Sequence, residues 1–221
     1  MDFLDFSFLT RYYTFFISGA KLTLFLAFFT VILGTILGLV LSLMRLSKSK
    51  VLSFIAAAYV EFVRGTPLLV QLYIVYYGLF IAGLGLPENV AGIITLSLNS
   101  AAYVSEIIRA GITAVDIGQT EASRSLGLNA YQTMRYIIIP QAFKNILPAL
   151  GNEFITIIKE SSIVSVIGIH ELMYNTGTVR GNTFKPMEPL IVAAILYFIM
   201  TFTLSKLLGI VERRMKVSDR N

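Results

Sequence analysis

Five apolar segments, at about residues 14–44, 51–82, 89–110, 145–168 and 189–212, limit what this chain can fold into. Each is near or above the ~20 residues that an α-helix needs to cross a hydrocarbon core. Only 14% of the 221 residues are charged and 56% are hydrophobic, whereas a soluble domain carries roughly 25% charged residues. The expected class is an all-α integral membrane protein of five spans, not a globular enzyme. The first two segments exceed the minimum length, which predicts tilt, a kink or partial exit from lipid. Gly34 and Gly38 form a small-xxx-small pair that lets another helix approach closely. Gly65-Thr66-Pro67 interrupts the second segment, and proline there removes a backbone donor, which predicts a kink.

Several chemistries are excluded. The chain has no cysteine, so disulfides, thiol catalysis and cysteine metal sites are absent. A single histidine, His170, cannot build a histidine-rich metal site. The net charge of +5 is explained by loop topology and not by nucleic-acid binding, because the basic residues gather at the ends of apolar runs. The N-terminus lacks a basic region and cleavage site, so the first apolar run is expected to be a retained span. No Gly-x-x-x-x-Gly-Lys-Ser/Thr motif occurs, so ATP-driven work would need a separate ATPase chain.

Basic residues set the expected orientation. Arg45, Lys48 and Lys50 lie between segments one and two; Arg109, Arg124, Arg135 and Lys144 lie between three and four. Lys206, Arg213, Arg214, Lys216 and Arg220 end or follow segment five. These 12 of the 18 basic residues share one side if the N-terminus is outside. Arg11, Lys21, Arg180 and Lys185 fall on the other side, and Arg64 and Lys159 fall inside spans. The C-terminus and the 111–144 loop are then cytoplasmic. The outer segment 169–188, with His170, Glu171 and Arg180, is long enough for a short helix or a gate.

Residues 121–140 interrupt the apolar pattern with a polar hairpin. Thr120 is the expected N-cap of a helix beginning at Glu121. Gly127 permits the left-handed turn that ends it. A second short helix over 129–138 is predicted to stop before Pro140. Ala122 and Ser123 give the first helix a small-residue face suited to a groove on a partner. An amphipathic loop lying on lipid is the alternative.

The order Glu121-Ala122-Ser123, three residues, Gly127, nine residues, Ile137-x-Ile139-Pro140 resembles the EAA motif of ATP-binding-cassette importer permeases. That motif is Glu-Ala-Ala, three residues, Gly, nine residues, Ile-x-Leu-Pro. This chain departs from it at Ser123 and Ile139. Glu61 to Gln71, Asn99 to Gly111 and Lys159 to Ser162 also resemble the polar amino-acid branch of these permeases. The resemblance spans about residues 14–214. It implies a five-helix type I importer domain with the N-terminus outside and the C-terminus cytoplasmic, in a prokaryotic cell membrane. It implies a second permease subunit, homologous or identical, and an extracytoplasmic substrate-binding protein that delivers an amino acid. It also implies an ATPase subunit docked through Glu121, Ala122, Ser123, Arg124, Gly127 and Pro140. No cofactor is expected in this chain; ATP and Mg²⁺ would sit on the partner ATPase.

Charges inside lipid are costly and so mark functional candidates. Glu153, Thr156 and Glu160 lie at i, i+3 and i+7 and share a helix face. Asn99 and Tyr103 lie at i and i+4, with Ser100 beside them. Two such faces meeting would form a polar chamber. Asn99, Ser161, Ser162 and the N–H groups of an interrupted helix are candidates for the amino-acid head. Glu153 could accept a guanidinium or ammonium tail, favouring arginine, lysine or histidine. Glutamine or glutamate is the alternative substrate. The structural alternatives stay open: Glu160 pairs with Lys159, and Glu153 is protonated or solvated. Glu61 with Arg64, and Glu106 with Arg109, are expected i, i+3 structural pairs or gate elements. Two other classes compete. An ion-coupled secondary transporter through Glu153 and Glu160 would show inverted repeats. A Ser–Lys intramembrane enzyme would need Lys159 to face Ser161 or Ser162, and neighbours on a helix point about 100° apart.

Overall fold

A computed structural model describes residues 4–217. Met1, Asp2, Phe3 and Arg220 lie outside the described residues, as does the side chain of Lys216. Helix α1 (Leu9–Arg45) is 37 residues long. It buries one stripe of small side chains, including Gly19, Thr23, Ala27, Thr30, Gly34, Gly38 and Ser42. The opposite side, with Phe25, Phe28, Phe29, Ile32, Leu33 and Ile36, is exposed. Apolar residues all round with only small ones buried suit a helix that faces lipid on one side and packs closely on the other.

The second apolar segment is two helices, α2 (Lys50–Gly65) and α3 (Leu68–Ile81). They bend by 111° at the Thr66-Pro67 break. The expected kink is therefore a complete interruption. Helix α4 (Glu88–Thr113) runs through the centre of the protein. It is the most buried of the membrane-length helices, and α1, α2, α3 and the helix that follows the hairpin all pack on it.

The α1–α4 contact depends on two missing side chains. A Cβ on Gly34 would lie 2.9 Å from Ser100 Oγ, and one on Gly38 would lie 2.6 Å from Val104 Cγ1. Both are closer than real carbon contacts allow, so the small-xxx-small pair is where the two backbones meet.

After α4 come α5 (Ile117–Ser125) and α6 (Ala130–Thr133). A π-helical turn, Met134–Ile138, then leads directly into α7 (Ile139–Glu160). The prediction that the second hairpin helix stops before Pro140 is thus corrected. In the π turn the Ile139 N–H reaches back five residues to Met134 O. This shifts the ladder so that Pro140 falls in the first turn of α7, where a missing N–H is tolerated. At its other end α7 stops eight residues before the predicted limit of 168; Ser161–Ile167 tighten into a 3₁₀ turn closed by Gly168 at φ 88. Helices α8 (Leu172–Thr183) and α9 (Glu188–Val217) complete the chain.

Length and apolarity qualify α1, α4 and α9 (Glu188–Met215) as membrane-crossing helices, and the bent α2–α3 pair makes a fourth if counted as one span. The remaining predicted span corresponds to α7, which carries Lys144, Glu153, Lys159 and Glu160. Near the start of the described chain, Lys185 bonds to the Asp5 carboxylate and holds its pKa down to about 2. Asp5 therefore stays ionised below the ordinary carboxylate range; the tie contributes fully above the usual carboxylate pKa and is lost as pH falls toward about 2.

Replacing Gly38 by valine should force α1 off α4 and lower stability by about 1–3 kcal/mol, as overpacking does. A lowered melting temperature of the detergent-solubilised protein, absent for Gly78→Ala, which has open space around its Cβ position, checks this.

Candidate functional site

Three helices converge on Ser100. It sits on α4 under Gly34 of α1, and its hydroxyl donates to Glu153 Oε1 of α7 at 3.0 Å. The two predicted faces therefore meet here. Thr156 is half-buried on the same side of α7. The other predicted members are placed differently. Asn99 is buried, and its amide donates to Gln71 of α3 at 3.0 Å. Tyr103 is partly exposed, with the Arg64 guanidinium 5.5 Å from its ring centroid. Glu160 is exposed at the end of α7. Ser161 and Ser162 spend their hydroxyls on the carbonyls three residues back, Ile158 O and Lys159 O, because both lie in the 3₁₀ turn. Among the hydrogen bonds of the described residues, only Ser100 and Glu153 are joined directly.

Below Tyr103 lies a charge knot that the sequence showed only in part. Glu106 accepts from Arg109 at 2.9 Å, as spacing predicted. It also accepts from Arg45 at the end of α1, and Arg64 of α2 lies 3.7 Å away. Among the described residues the predicted Glu61–Arg64 pair is replaced by this contact, because α2 packs on α4. One carboxylate thus ties α1, α2 and α4 at one end.

A second carboxylate was missed. Glu171 is fully buried and caps α8 through the N–H groups of Met173 and Tyr174, at 2.9 and 2.7 Å. Tyr197 of α9 donates to it at 2.9 Å, and Thr23 of α1 does so at 3.4 Å. Glutamate is not a favoured N-cap residue, so local sequence gave no signal for this role.

The hairpin is built from standard termini. The N-cap of α5 is Asp116, whose carboxylate accepts from Gly118 N at 2.7 Å; Thr120 lies inside the helix, which starts earlier than predicted. At the other end Gly127, at φ 88, forms a Schellman closure: Leu128 N–H reaches Ser123 O, and Gly127 N–H reaches Arg124 O. Asn129 and Gln132 then form a capping box for α6, with both bonds at 2.9 Å. Ser123 is buried and donates to Thr133 Oγ1 at 3.0 Å, locking the two arms together. Its side chain therefore faces inward, and the predicted small-residue docking face is reduced to Ala122. Glu121, Ala122, Arg124, Gly127 and Pro140 are all exposed. Leu126 and Tyr131 project beside them, 84% and 69% exposed.

The described residues form an all-helical domain of membrane-length helices with an exposed, capped hairpin. Over residues 31–217 the chain matches the family described as binding-protein-dependent transport system inner membrane component, and it belongs to that family. It is the permease subunit of an amino-acid ATP-binding-cassette importer, a non-enzymatic membrane component with the type I fold. Among relatives, it is 44% identical to the arginine transport system permease protein ArtQ of Bacillus subtilis (strain 168), covering 98% of this chain and 99% of that protein. It is 42% identical to a protein of Rickettsia bellii (strain RML369-C) named for glutamine transport, the permease GlnP, over 92% of this chain and 94% of that one. A solved structure described as an amino acid ABC transporter with histidines matches with a TM-score of 0.92 and 52% identity, covering 96% and 99% of the two chains. Membership of this family sets aside the secondary-transporter and intramembrane-enzyme readings.

Glu106→Gln should leave three guanidiniums facing one neutral amide and lower stability by about 1–3 kcal/mol. The thermal melt of the purified protein measures this, and the loss should shrink as salt is raised.

Proposed function

We propose that this permease imports cationic amino acids, arginine, lysine or histidine, and that Glu153 receives the cationic side chain. The observation that carries the reading is the setting of Glu153. It lies on α7 among apolar helices and is held by the Ser100 hydroxyl. Among the described residues the ion pairs of Arg45, Arg64 and Arg109 all go to Glu106, leaving Glu153 its acceptor capacity. A carboxylate fixed in a low-dielectric setting favours a charge-assisted bond to a guanidinium or ammonium. The first turn of α3, which begins after Pro67 with no side-chain cap, offers N–H groups for the substrate carboxylate. Similarity to an arginine permease and to a transporter structure described with histidines supports the cationic class.

In this reading α1, the α2–α3 pair, α4, α7 and α9 form five spans with the N-terminus outside. Two permease subunits pair, and a binding protein delivers substrate to the outer face. A partner ATPase, which holds ATP and Mg²⁺, docks on Glu121, Ala122, Arg124 and Gly127, with Ser123 and Pro140 shaping the hairpin from behind. Its closure and reopening switch the permeases between outward and inward access. A second reading, glutamine or glutamate import, is favoured by the similarity to the protein named for glutamine transport.

Uptake of labelled arginine, lysine, histidine, glutamine and glutamate, in cells lacking this chain and with it restored, separates the two. Restored uptake of the cationic set is expected, with Glu153→Gln lowering arginine uptake by about tenfold or more, the scale of one lost charge-assisted bond. Restoration of glutamine or glutamate alone, or arginine uptake unchanged by Glu153→Gln, overturns the cationic assignment.

A further inference from the structure

Pro67 has no N–H, so the carbonyl of Val63, four residues back, lacks the donor that a continuous helix would supply. Gln71 fills that place from one turn further on. Its Nε2 lies 2.7 Å from Val63 O, 3.0 Å from Thr66 O and 2.9 Å from Thr66 Oγ1. Thr66 Oγ1 donates in turn to Phe62 O at 2.9 Å, so its lone pairs remain free to accept from Gln71. Two carbonyls at the end of α2 are thus served by side chains instead of the backbone. Gln71 Oε1 accepts from Asn99 Nδ2 of α4 at 3.0 Å. Val63 O and Thr66 O can only accept, so the Gln71 NH₂ group faces the break and its oxygen faces the buried Asn99 of α4.

We propose that Gln71 is the positioning residue that holds the second apolar segment broken at Gly65–Pro67, with Asn99 tying its amide oxygen to α4. The assignment rests on the reading of that segment as part of the transport path. Arg64, two residues before the break, faces Tyr103 and Glu106, and after the break α3 packs beside α4, so both polar clusters adjoin the broken segment. Without the amide, two carbonyls and the Asn99 NH₂ would be left unpaired among apolar helices. That is enough to move a two-state segment by roughly tenfold or more.

The chain has no cysteine, so Gly65→Cys introduces a unique thiol, at an exposed position with no atom within 4 Å of its Cβ. The full-length chain, assembled in its membrane, is labelled with N-ethylmaleimide in this background. Adding Gln71→Leu is expected to change the labelling rate by roughly tenfold. Gln71→Met, which nearly keeps length and volume but has no polar hydrogen to donate, should do the same, and it decides the matter if Gln71→Leu does not accumulate. Uptake of labelled arginine and glutamine, per folded transporter, should lose maximal rate with KM within about twofold. Combining Gln71→Leu with Pro67→Ala restores a backbone donor to Val63 O; the melting temperature should recover while uptake does not. Unchanged labelling and uptake in Gln71→Met would overturn the proposal, as would recovery of uptake by the double variant, which would make Gln71 a stabilising residue only. If the unsubstituted chain restores neither arginine nor glutamine uptake, the substrate assignment has failed, and the labelling ratio still decides the role of Gln71.

Discussion

The close approach of α1 to α4 sets the rest of the architecture. Lipid tails are as apolar as leucine, so helices in a bilayer gain little from burying apolar surface against each other. They associate through close van der Waals contact and polar bonds. Gly34 and Gly38 provide the first by leaving room for Ser100 and Val104. Once α4 lies in that groove, Ser100 is positioned to reach Glu153 of α7, and Arg45 at the end of α1 is positioned to reach Glu106. Gly19 does the same further along α1, where a Cβ would lie 2.7 Å from the Leu172 backbone, and this brings Thr23 to Glu171.

At three breaks in helical regularity, side chains bond the backbone groups that the interruption leaves. An unpaired polar group in a low-dielectric interior costs far more than a paired one gains. At Gly65–Pro67 the substitutes are Thr66 and Gln71. At the start of α8 the substitute is Glu171, with Thr23 accepting the Leu172 N–H. After Glu160 the 3₁₀ turn uses the hydroxyls of Ser161, Ser162 and Ser165. The interrupted segments are therefore specific conformations and not frayed ends.

The hairpin and the polar centre share one rod. From Ala130 the chain runs through α6, the π turn and α7 to Glu160 without leaving helical structure. Pro140, at the base of the hairpin, is separated from Glu153 by roughly 20 Å of that rod at 1.5 Å per residue. The Schellman closure, the capping box and the Ser123–Thr133 bond fasten α5 to the beginning of the rod. The exposed face of α5 is thus connected to Glu153 through continuous helix, with Pro148 inside α7 as the one point between Pro140 and Glu153 where a backbone N–H is missing.

Much of this was legible in the sequence. Apolar length announced membrane helices, Gly34 and Gly38 announced the close contact, Gly65-Thr66-Pro67 announced the interruption, and the EAA-like spacing announced the family. Those signals are local, because chain length, missing Cβ atoms, missing N–H groups and turn glycines act on their own neighbours. The errors were also local rules overridden by context. Pro140 did not end its helix, since a widened π turn moved it to a tolerated position, and Asp116 displaced Thr120 as the cap. What the sequence by itself determined was the class of protein, the apolar helical segments and the existence of a polar hairpin between them. Only the tertiary structure decided that Arg64 serves Glu106 and not Glu61, that Asn99 holds Gln71, that Ser123 faces inward and that Glu171 is buried. Those outcomes join residues up to 148 positions apart, and which distant polar groups meet depends on how closely the helices pack, which no local pattern encodes.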